Sequence, residues 1–517
     1  MNRAGCFSQK EAARALTNLP QMNLMKQSST LAVVAVVAAM VALPSAADPA
    51  LSNTPAGKML LLDHFGRAVQ VSTNEMPAGF IPPPAVGLER QIPAPAQGTS
   101  QPNEIQQRGR DAAIGFRSLP SVPPVLQPYL ASQDEYGNTA ARPGPLFPAY
   151  PLESLVQGPK YWLSEHGLRY SLEQTINYVN MTGVQEGDNT LGFYTLEFKG
   201  VWAMYDSPAS GTAGWISSQF DVKTGIGSPG QSQDAKRNLG TITDPTDIWS
   251  DVNGLRVPEL AWQQAAFDGR LVAVAGVVNQ GNYIDQNAYA QSGRGQFMNS
   301  ALIDTRVMPI PQYNFGFNLQ WQPLNEYYAM FGASAGNNDA GFAPWTKFSL
   351  STWSMLWELG YAPKDVLGLG PGIYRIQPFL AEVENQSGGG LCFDLQQKLG
   401  PRTPFGWYGR FGFGSEAVSA GAAAQVGTGF VMQGPLDHVL LRRRSNDLLG
   451  VGFVWSQPSA TSKTVYHQNE YILEAFYALQ FSPTVRFQPD FQFVTNPAFN
   501  RDHDHALVFQ LQLILTW

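Results

Sequence analysis

The chain has 517 residues, a formal net charge of −7 and a charged fraction of 14%. Soluble globular domains carry about 25% charged residues, so this composition argues against an ordinary soluble domain. The acidic balance also argues against nucleic-acid binding. With 50 glycines, 38 prolines and 12% aromatic residues, the chain favours many short strands and turns.

Residues 1–47 are interpreted as an N-terminal extension that ends in a secretory signal peptide. Lys26 provides the positive charge, residues 31–43 form an apolar run, and SAA at 45–47 offers a small-residue cleavage site. A membrane-spanning helix needs about 20 apolar residues, so this shorter run favours cleavage. The alternative is an uncleaved signal anchor.

Residues 48–150 are expected to form a Pro-rich periplasmic extension. The segment GFIPPPAVGLERQIPAPA (79–96) has the composition of an extended linker. A short amphipathic helix is predicted from Leu152 to His166, with Gly167 as its C-terminal cap.

Beyond residue 167, apolar and polar residues alternate, which predicts strands because successive side chains of a strand point to opposite faces. The segment YNFGFNLQWQ (313–322) is the clearest example, with Tyr, Phe, Leu and Trp on one face. A soluble β-sandwich would present Lys and Glu to water, whereas these polar faces carry Gln, Asn, Ser and Gly. The apolar faces are dense in aromatic residues, as in an outer-membrane girdle. We therefore predict an all-β fold over residues 151–517, a transmembrane antiparallel up-and-down β-barrel.

Sixteen strands are predicted, an even number that suits a closed antiparallel barrel. They span 167–181, 191–205, 214–224, 258–266, 270–280, 312–322, 327–336, 351–362, 372–383, 390–399, 406–415, 424–433, 447–457, 469–482, 485–495 and 505–517. Short connections at 267–270, 323–326 and 482–484 follow even-numbered strands, while long ones at 225–257 and 281–311 follow odd-numbered strands. This pattern predicts that both termini are periplasmic.

The closing segment, ALVFQLQLILTW (506–517), has one wholly apolar face that ends in Trp517. Such a face is expected to contact outer-membrane lipid and lipopolysaccharide. The barrel-assembly machinery is the expected partner of this C-terminal strand.

A sixteen-stranded barrel encloses an aqueous channel, whose selectivity requires a constriction. The 281–311 connection is too long, and too apolar in places, to lie wholly in solvent, so we predict that it folds into the lumen. The alternative is an extracellular cap. The loop residues expected in the lumen are Tyr283, Asp285, Asn287, Tyr289, Arg294 and Phe297. The wall residues expected to face inward are Arg169, Glu173, Glu197, Lys199, Glu259, Gln263, Glu358, Arg375, Gln377, Tyr408, Arg410, Glu470, Glu474, Arg486 and Asp490.

Both signs of charge are interspersed among these wall positions. A strongly ion-selective pore would have a ring of one sign instead. Aromatic faces with amides and charged groups suit neutral solutes rich in hydroxyl groups, such as sugars. For each wall residue, the alternative is that it only keeps the lumen hydrated.

From about residue 150 to 517, the chain resembles the carbohydrate-selective porin family of the OprB type. The resemblance rests on the order of PELAWQQAAFDGRLVAVAG (258–276), YIDQNAYA (283–290), QFMNSAL (296–302), PGIYRIQP (371–378), GGGLCFDLQQKL (388–399), YGRFGFGSE (408–416), RSNDLLGVGF (444–453) and EYILEAFYALQFSPTVRFQPDFQFVTNP (470–497). By position, it adds Gln397 and Asp447 to the pore-lining candidates. Val277 and Asn279 stand where the family usually has a basic residue and an aspartate.

The resemblance implies passive, selective diffusion of carbohydrates across the outer membrane of a Gram-negative-type bacterium. The expected solutes are monosaccharides such as glucose, and short oligosaccharides. The alternatives are a general diffusion porin, an outer-membrane barrel that acts as an enzyme or adhesin, and a soluble secreted sugar-binding protein. No catalytic residue, metal or cofactor is expected. A homotrimer is expected because sixteen-stranded pores commonly form trimers.

Overall fold

The computed structural model describes residues 58–62, 68–72, 162–163, 166–207, 209–226, 234–247, 254–335, 348–400, 403–438, 447–459, 468–481 and 485–516. The signal peptide within residues 1–47 lies outside the described residues, as do most of the 48–150 extension and most of the 152–166 helix. Within the extension, β1 (Lys58–Leu62) and β2 (Ala68–Ser72) pair as an antiparallel hairpin. The sequence predicted a flexible extension without strands there, since strands of five residues are too short to show a clear periodicity.

Sixteen antiparallel strands close into a barrel in which the last strand pairs with the first. They are β3 (Leu168–Met181), β4 (Thr190–Ser207), β5 (Thr212–Gly225), β6 (Gly254–Ala266), β7 (Leu271–Val278), β8 (Asn314–Trp321), β9 (Tyr327–Ala335), β10 (Trp353–Tyr361), β11 (Gly372–Val383), β12 (Gln386–Lys398), β13 (Phe405–Gly414), β14 (Ala422–Gln433), β15 (Leu448–Pro458), β16 (Glu470–Gln480), β17 (Val485–Thr495) and β18 (His505–Thr516). All sixteen predicted strands are confirmed. The largest difference is four residues, at the start of β6 (254 against 258) and of β12 (386 against 390).

The two faces of the wall differ as the alternation requires. In β16, Tyr471 and Leu473 are exposed on the outside, whereas Glu470 and Glu474 are fully buried inside. Exposed apolar side chains continue around the outside, among them Trp202, Trp262, Phe317, Trp321, Phe430, Phe453, Phe491 and Phe509. Such an outer surface suits contact with hydrocarbon rather than with water. Among the described residues, no helix is long and apolar enough to span a membrane.

Most connections are shorter at one end of the barrel than at the other; the exceptions are 434–447 at the first end and 384–385 at the second. At the end where β3 begins and β18 finishes, the connections after β4, β6 and β8 span 208–211, 267–270 and 322–326. At the opposite end, the connections after β5 and β7 span 226–253 and 279–313. These two ends are the short-turn end and the long-loop end.

The described parts of both long connections enter the barrel. The segment 234–247, which includes the short helix α1 (Ala235–Leu239), bonds with inward-facing side chains of β16, β17 and β18. The 279–313 connection, here the inserted loop, carries a 3₁₀ turn (Gln280–Asn282) and the one-turn helix α2 (Ser300–Ile303). Two hydrophobic clusters form where these segments meet the wall. The barrel therefore has a packed interior on part of its inner surface.

Inward-facing glycines make room for the apolar part of the inserted loop. A Cβ atom on Gly452 in β15 would lie 2.8 Å from Cε1 of Phe297 and 3.0 Å from Cδ2 of Leu302, so any side chain there displaces the loop. Gly427 in neighbouring β14 is less crowded, because its Cβ would meet Cγ2 of Val454 at 3.5 Å, an ordinary contact. The wall of β13–β15 thus forms a shallow recess for α2.

Candidate functional site

The inserted loop is fixed where it leaves β7. Gln280 is completely buried, and its Nε2 donates to the carbonyl of Phe317 and to Oγ of Ser334, each at 3.0 Å. Asn318 Nδ2 donates in return to Gln280 Oε1 at 3.0 Å. A single side chain therefore binds the loop to both β8 and β9 on the inner surface of the wall.

A buried ionic cluster holds the middle of the loop. Arg375 on β11, Asp394 on β12 and Arg410 on β13 lie opposite one another in the strand register. Asp394 Oδ2 lies 3.0 Å from Arg375 Nη1 and 3.9 Å from Arg410 Nη2, and all three side chains are 0% exposed. The loop adds Asp285, whose Oδ1 accepts from Arg410 Nε at 3.2 Å, and the wall adds Glu358 on β10.

Arg410 closes the loop on itself. Its Nη1 donates to the carbonyls of Ala290 (2.6 Å) and Leu302 (3.0 Å), and its Nη2 donates to the carbonyl of Asp285 (2.8 Å). Arginine presents five donors in a fixed plane, which permits this simultaneous contact with three separated carbonyls. One guanidinium thus fixes the distances between three points of the inserted loop.

Asp285 is the loop residue at the centre of this cluster. It has a positive φ of 64°, and its backbone N–H donates to Glu358 Oε2 at 2.9 Å. Its Oδ2 accepts from the backbone of Thr305 at 2.9 Å. Burial, together with the nearby carboxylates of Asp394 and Asp304, outweighs Arg410 and raises the pKa of Asp285 to about 7.

A second anchor lies on β6. Glu259 Oε1 accepts from the hydroxyl of Tyr283 at 2.9 Å, and its Oε2 accepts from Asn282 Nδ2 at 2.9 Å. Ser217 on β5 also donates to Glu259, at 2.5 Å, and Gln263 Nε2 donates to the Tyr283 hydroxyl. Glu259 is 4% exposed, so its carboxylate faces the loop rather than lumen water.

A third cluster retains accessible surface in the lumen. Arg294 Nη1 donates to Glu197 Oε2 on β4 at 3.0 Å, and its Nε lies 3.0 Å from Glu173 Oε1 on β3. Lys199 Nζ lies 3.4 Å from Glu197 Oε1. The side chains of Lys199, Glu173 and Arg294 are 29%, 21% and 13% exposed. Two cations and two anions are therefore interspersed where this part of the loop faces β3 and β4, and this group is the lumen charge cluster.

The two aromatic candidates of the loop differ in their surroundings. Phe297 is 0% exposed and contacts the rings of Phe476 and Tyr408, with centroids 4.9 and 5.5 Å away. Tyr289 is half-buried and packs over Gly406, near the short-turn end of β13. Phe297 therefore belongs to the packed interior, whereas Tyr289 retains a surface towards the lumen.

Backbone groups of the loop bind acidic and amide side chains of the opposite wall. Glu474 on β16 accepts from the backbone N–H groups of Met298 (2.5 Å) and Asn299 (3.0 Å). Gln425 on β14 donates to the carbonyl of Ala301 at 2.7 Å and accepts from the backbone of Arg306 at 2.9 Å. The loop therefore spans the interior between opposite sides of the barrel.

The structure brings most of the candidate residues together, in separate groups. Asp285, Asn287, Glu358, Arg375 and Arg410 share the ionic cluster, where Asn287 Nδ2 donates to Asp394 Oδ1 at 2.6 Å. Glu259 and Arg294 belong to the two other clusters. Asp394 is central to the ionic cluster, but the sequence prediction did not include it. Strand alternation could have identified it, because Asp394 lies two residues from both Cys392 and Gln396 on the inner face of β12.

Two candidates lie elsewhere, which corrects the sequence prediction. Gln397 lies on the opposite face of β12 from Asp394, where it accepts from the Tyr374 hydroxyl and donates to the carbonyl of Gly370. Asp447 lies at the short-turn end of the wall and accepts from the Tyr477 hydroxyl (2.7 Å) and the backbone of Gln480 (2.9 Å). Both were assigned by position within a resembling segment, which does not account for strand parity.

The segment 234–247 was not predicted to contribute. It lies against the inserted loop at the long-loop end, where Asp244 N donates to Ser300 Oγ at 2.9 Å and Asp247 N donates to the carbonyl of Met298 at 3.0 Å. Glu470 accepts from the backbone of Ile242 at 2.9 Å. Among the residues with assigned positions, no group of three or more His, Cys, Asp or Glu side chains could hold a metal ion.

Known proteins share this architecture. The sequence profile described as carbohydrate-selective porin, OprB family, matches residues 214–389 and 382–516, more than half of the chain. Porin AaxA of Chlamydia pneumoniae is 24% identical over 332 residues, which make up 61% of this chain and 70% of that protein. The high-pH structure of Pseudomonas putida OprB has a TM-score of 0.55 at 15% identity, and the match covers 70% of this chain and 96% of that one. At that identity the structural likeness establishes a common fold.

Proposed function

Because this chain belongs to the carbohydrate-selective porin family, OprB, we propose that it provides a passive route for small neutral carbohydrates. The family and the closed barrel make the protein a porin of a Gram-negative outer membrane. The finer proposal is that its solutes are monosaccharides such as glucose, and short oligosaccharides. No energy source or cofactor enters this mechanism, since solutes move down their own gradients.

The lumen charge cluster is the single observation that best supports this solute class. Arg294, Lys199, Glu173 and Glu197 set two positive and two negative groups side by side, with part of their surface accessible. A ring of one sign would attract ions of the opposite sign, whereas a set of both signs offers donors and acceptors side by side. A sugar that loses hydration water there can exchange hydrogen bonds with both kinds of group.

The inserted loop is proposed to form the constriction of the pore. Its anchors on β6, β10–β14 and β16 hold it across the interior, so that its surface near Tyr289 and Arg294 narrows the water-filled path. An aromatic face such as Tyr289 can contact the C–H surface of a sugar ring. The other loop residues that were candidates for lining the pore then fix the shape of this surface.

The remaining proposals concern orientation and partners. The short connections at the end where β3 begins and β18 finishes support periplasmic termini. Cleavage of the signal peptide stays a prediction from the sequence, which sizing of the mature protein can test. The exposed apolar face of β18 supports contact with lipid and recognition by the barrel-assembly machinery. Homotrimer formation and contact with lipopolysaccharide remain proposals that native electrophoresis and lipid co-purification can test.

Liposome swelling tests the proposed solute class. Proteoliposomes should swell rapidly in monosaccharides, more slowly in disaccharides, and little in longer oligosaccharides, while a planar bilayer should show ionic current that added sugar reduces. Equal swelling with sugars and with amino acids of similar size, together with current that sugar does not affect, would instead identify a general diffusion porin. Absence of any channel would reject porin function altogether.

A further inference from the structure

Asp394 occupies a position from which it reaches the inserted loop by three routes. It faces Arg375 on one neighbouring strand and Arg410 on the other, both directly opposite in register. It also accepts from Asn287 Nδ2 of the loop, at 2.6 Å. Among the contacts of the described residues, no other side chain of the ionic cluster both forms ion pairs with the two arginines and accepts a hydrogen bond from the loop.

The first route runs through Arg410. The Asp394 carboxylate lies 3.9 Å from Arg410 Nη2, the same nitrogen that donates to the carbonyl of Asp285. Because Arg410 Nη1 donates to the carbonyls of Ala290 and Leu302, a change in the plane of this guanidinium moves three loop carbonyls together. The charge of Asp394 therefore helps to set the orientation of the group that closes the loop.

The second route runs through Arg375. Asp394 accepts from Arg375 Nη1 at 3.0 Å, while Arg375 Nε lies 3.4 Å from Glu358 Oε1. Glu358 in turn accepts the backbone N–H of Asp285. Tyr328 completes this side, since its hydroxyl donates to Glu358 at 2.6 Å and accepts from Arg375 Nε at 2.9 Å.

Removing the charge of Asp394 leaves two buried guanidinium groups with less compensation. Arg375 and Arg410 are both 0% exposed, so water cannot replace the lost partner without movement of the loop. A buried charge that loses its partner is strongly destabilising where it stands. The wall strands carry continuous backbone ladders, whereas the loop has few backbone bonds of its own, so the loop is the element that yields.

We propose that Asp394 is a positioning residue for the inserted loop and thereby a determinant of the solute size limit. The inference rests on the proposed function only in taking the loop as the constriction. Asp394 is fully buried, so it acts through Arg375, Arg410 and Asn287 and does not touch the solute.

The test compares Asp394→Asn with Asp365→Asn. The first keeps the shape of the side chain and removes its charge, and the second makes the same change in the exposed turn after β10, where Asp365 accepts from two backbone N–H groups. For Asp394→Asn we expect roughly twofold larger single-channel conductance and entry of sugars that the wild type excludes, because both depend on pore cross-section. Asp365→Asn should match the wild type in both measurements.

A labelling experiment separates loop movement from a general loss of structure. Tyr289→Cys places a thiol on the loop, and its rate of reaction with a large maleimide is measured with and without Asp394→Asn. The native Cys392 lies in the same buried cluster as Tyr283 and Ile284 of the loop and would itself become accessible if the loop moved, so it is replaced by alanine in both backgrounds. Faster labelling at position 289, with unchanged heat-modifiable mobility of the folded barrel, supports the proposal.

Asn287→Ala provides a second variant in case Asp394→Asn fails to fold. It breaks the direct bond with Asp394 from the loop side and leaves the wall cluster intact, so conductance and labelling should change in the same direction by a smaller factor. Wild-type conductance, size limit and labelling in every folded variant overturns the proposal. A wild-type channel that conducts ions but does not respond to sugars rejects the proposed solute class alone, since ion conductance still reports the position of the loop.

Discussion

Replacement of Arg294 by glutamine should shift the selectivity of the pore towards cations. Arg294 pairs with Glu197 and Glu173, and Lys199 is the second cation of the lumen charge cluster. The substitution keeps a polar side chain of moderate length and removes one positive charge. Lys199, which pairs with Glu197, is then the remaining cation of the cluster.

The size of the effect follows from Coulomb's law. A monovalent ion that passes about 5 Å from the altered charge in water changes in energy by about 0.8 kcal/mol. At 0.1 M salt the Debye length is about 10 Å, which reduces this value to about 0.5 kcal/mol. Cations gain this energy and anions lose it, so the difference of about 1 kcal/mol corresponds to a shift of about fivefold in the cation-to-anion permeability ratio.

The reversal potential across a KCl gradient in a planar bilayer measures this ratio. The shift should fall to about 1.7-fold near 1 M salt, where the Debye length is about 3 Å. Arg270→Gln is the matched control, because Arg270 is an exposed residue of the turn after β6 and bonds with Asn325 of the adjacent turn. If Arg294→Gln changes the ratio no more than Arg270→Gln, or shifts it towards anions, the assignment of Arg294 to the lumen is wrong.

Three further predictions concern the docking of the inserted loop. Arg410→Ala removes one partner of a buried ion pair, at a cost of about 3–5 kcal/mol, and should give larger and noisier single-channel currents; quiet currents of wild-type size would contradict it. Gly452→Val overfills the recess at a cost of about 1–3 kcal/mol and should speed hydrogen exchange over residues 297–303. The control, Gly427→Ala, should leave exchange there unchanged. Equal exchange in the two variants would refute the recess. The raised pKa of Asp285 means that the docked loop retains a proton that the undocked loop releases, so docking is fully favoured below the ordinary value of 3.8 and weakens as pH rises through about 7. Current noise should therefore increase from pH 5 to pH 8 in the wild type, and an equal increase in Asp285→Asn would show that another group is responsible.

The barrel wall could be predicted from the sequence because its information is local. A strand with one face in lipid carries apolar residues at every second position, and segments such as 313–322 show this pattern without any knowledge of their neighbours. The even count and the alternation of short and long connections then defined the topology. Strand ends were less certain, as in β12, where the glycine run at 388–390 hides the alternation and the predicted start was four residues late.

The interior could be predicted only in part. Inward-facing positions follow from parity, and Glu259, Glu358, Arg375 and Arg410 are all buried inside the barrel. Their partners do not follow from parity, since they come from a loop whose residues have no regular period. The segment 234–247 shows this limit most clearly, because Glu470 binds Ile242 across 228 residues of sequence and no local pattern predicts that contact.

The order in which the chain is made has a consequence for how the pore matures. The inserted loop precedes most of the wall that receives it: Asp285 bonds with Glu358 across 73 residues, and Asn299 bonds with Gln492 across 193. Such distant contacts are slow to form, because the entropy of closing a long stretch of chain is lost before the contact itself stabilises the structure. The recess under α2 also needs β14 and β15 side by side before it exists. The barrel must therefore be nearly complete before the inserted loop can dock, so a newly inserted molecule should pass through a stage with a wider and leakier bore.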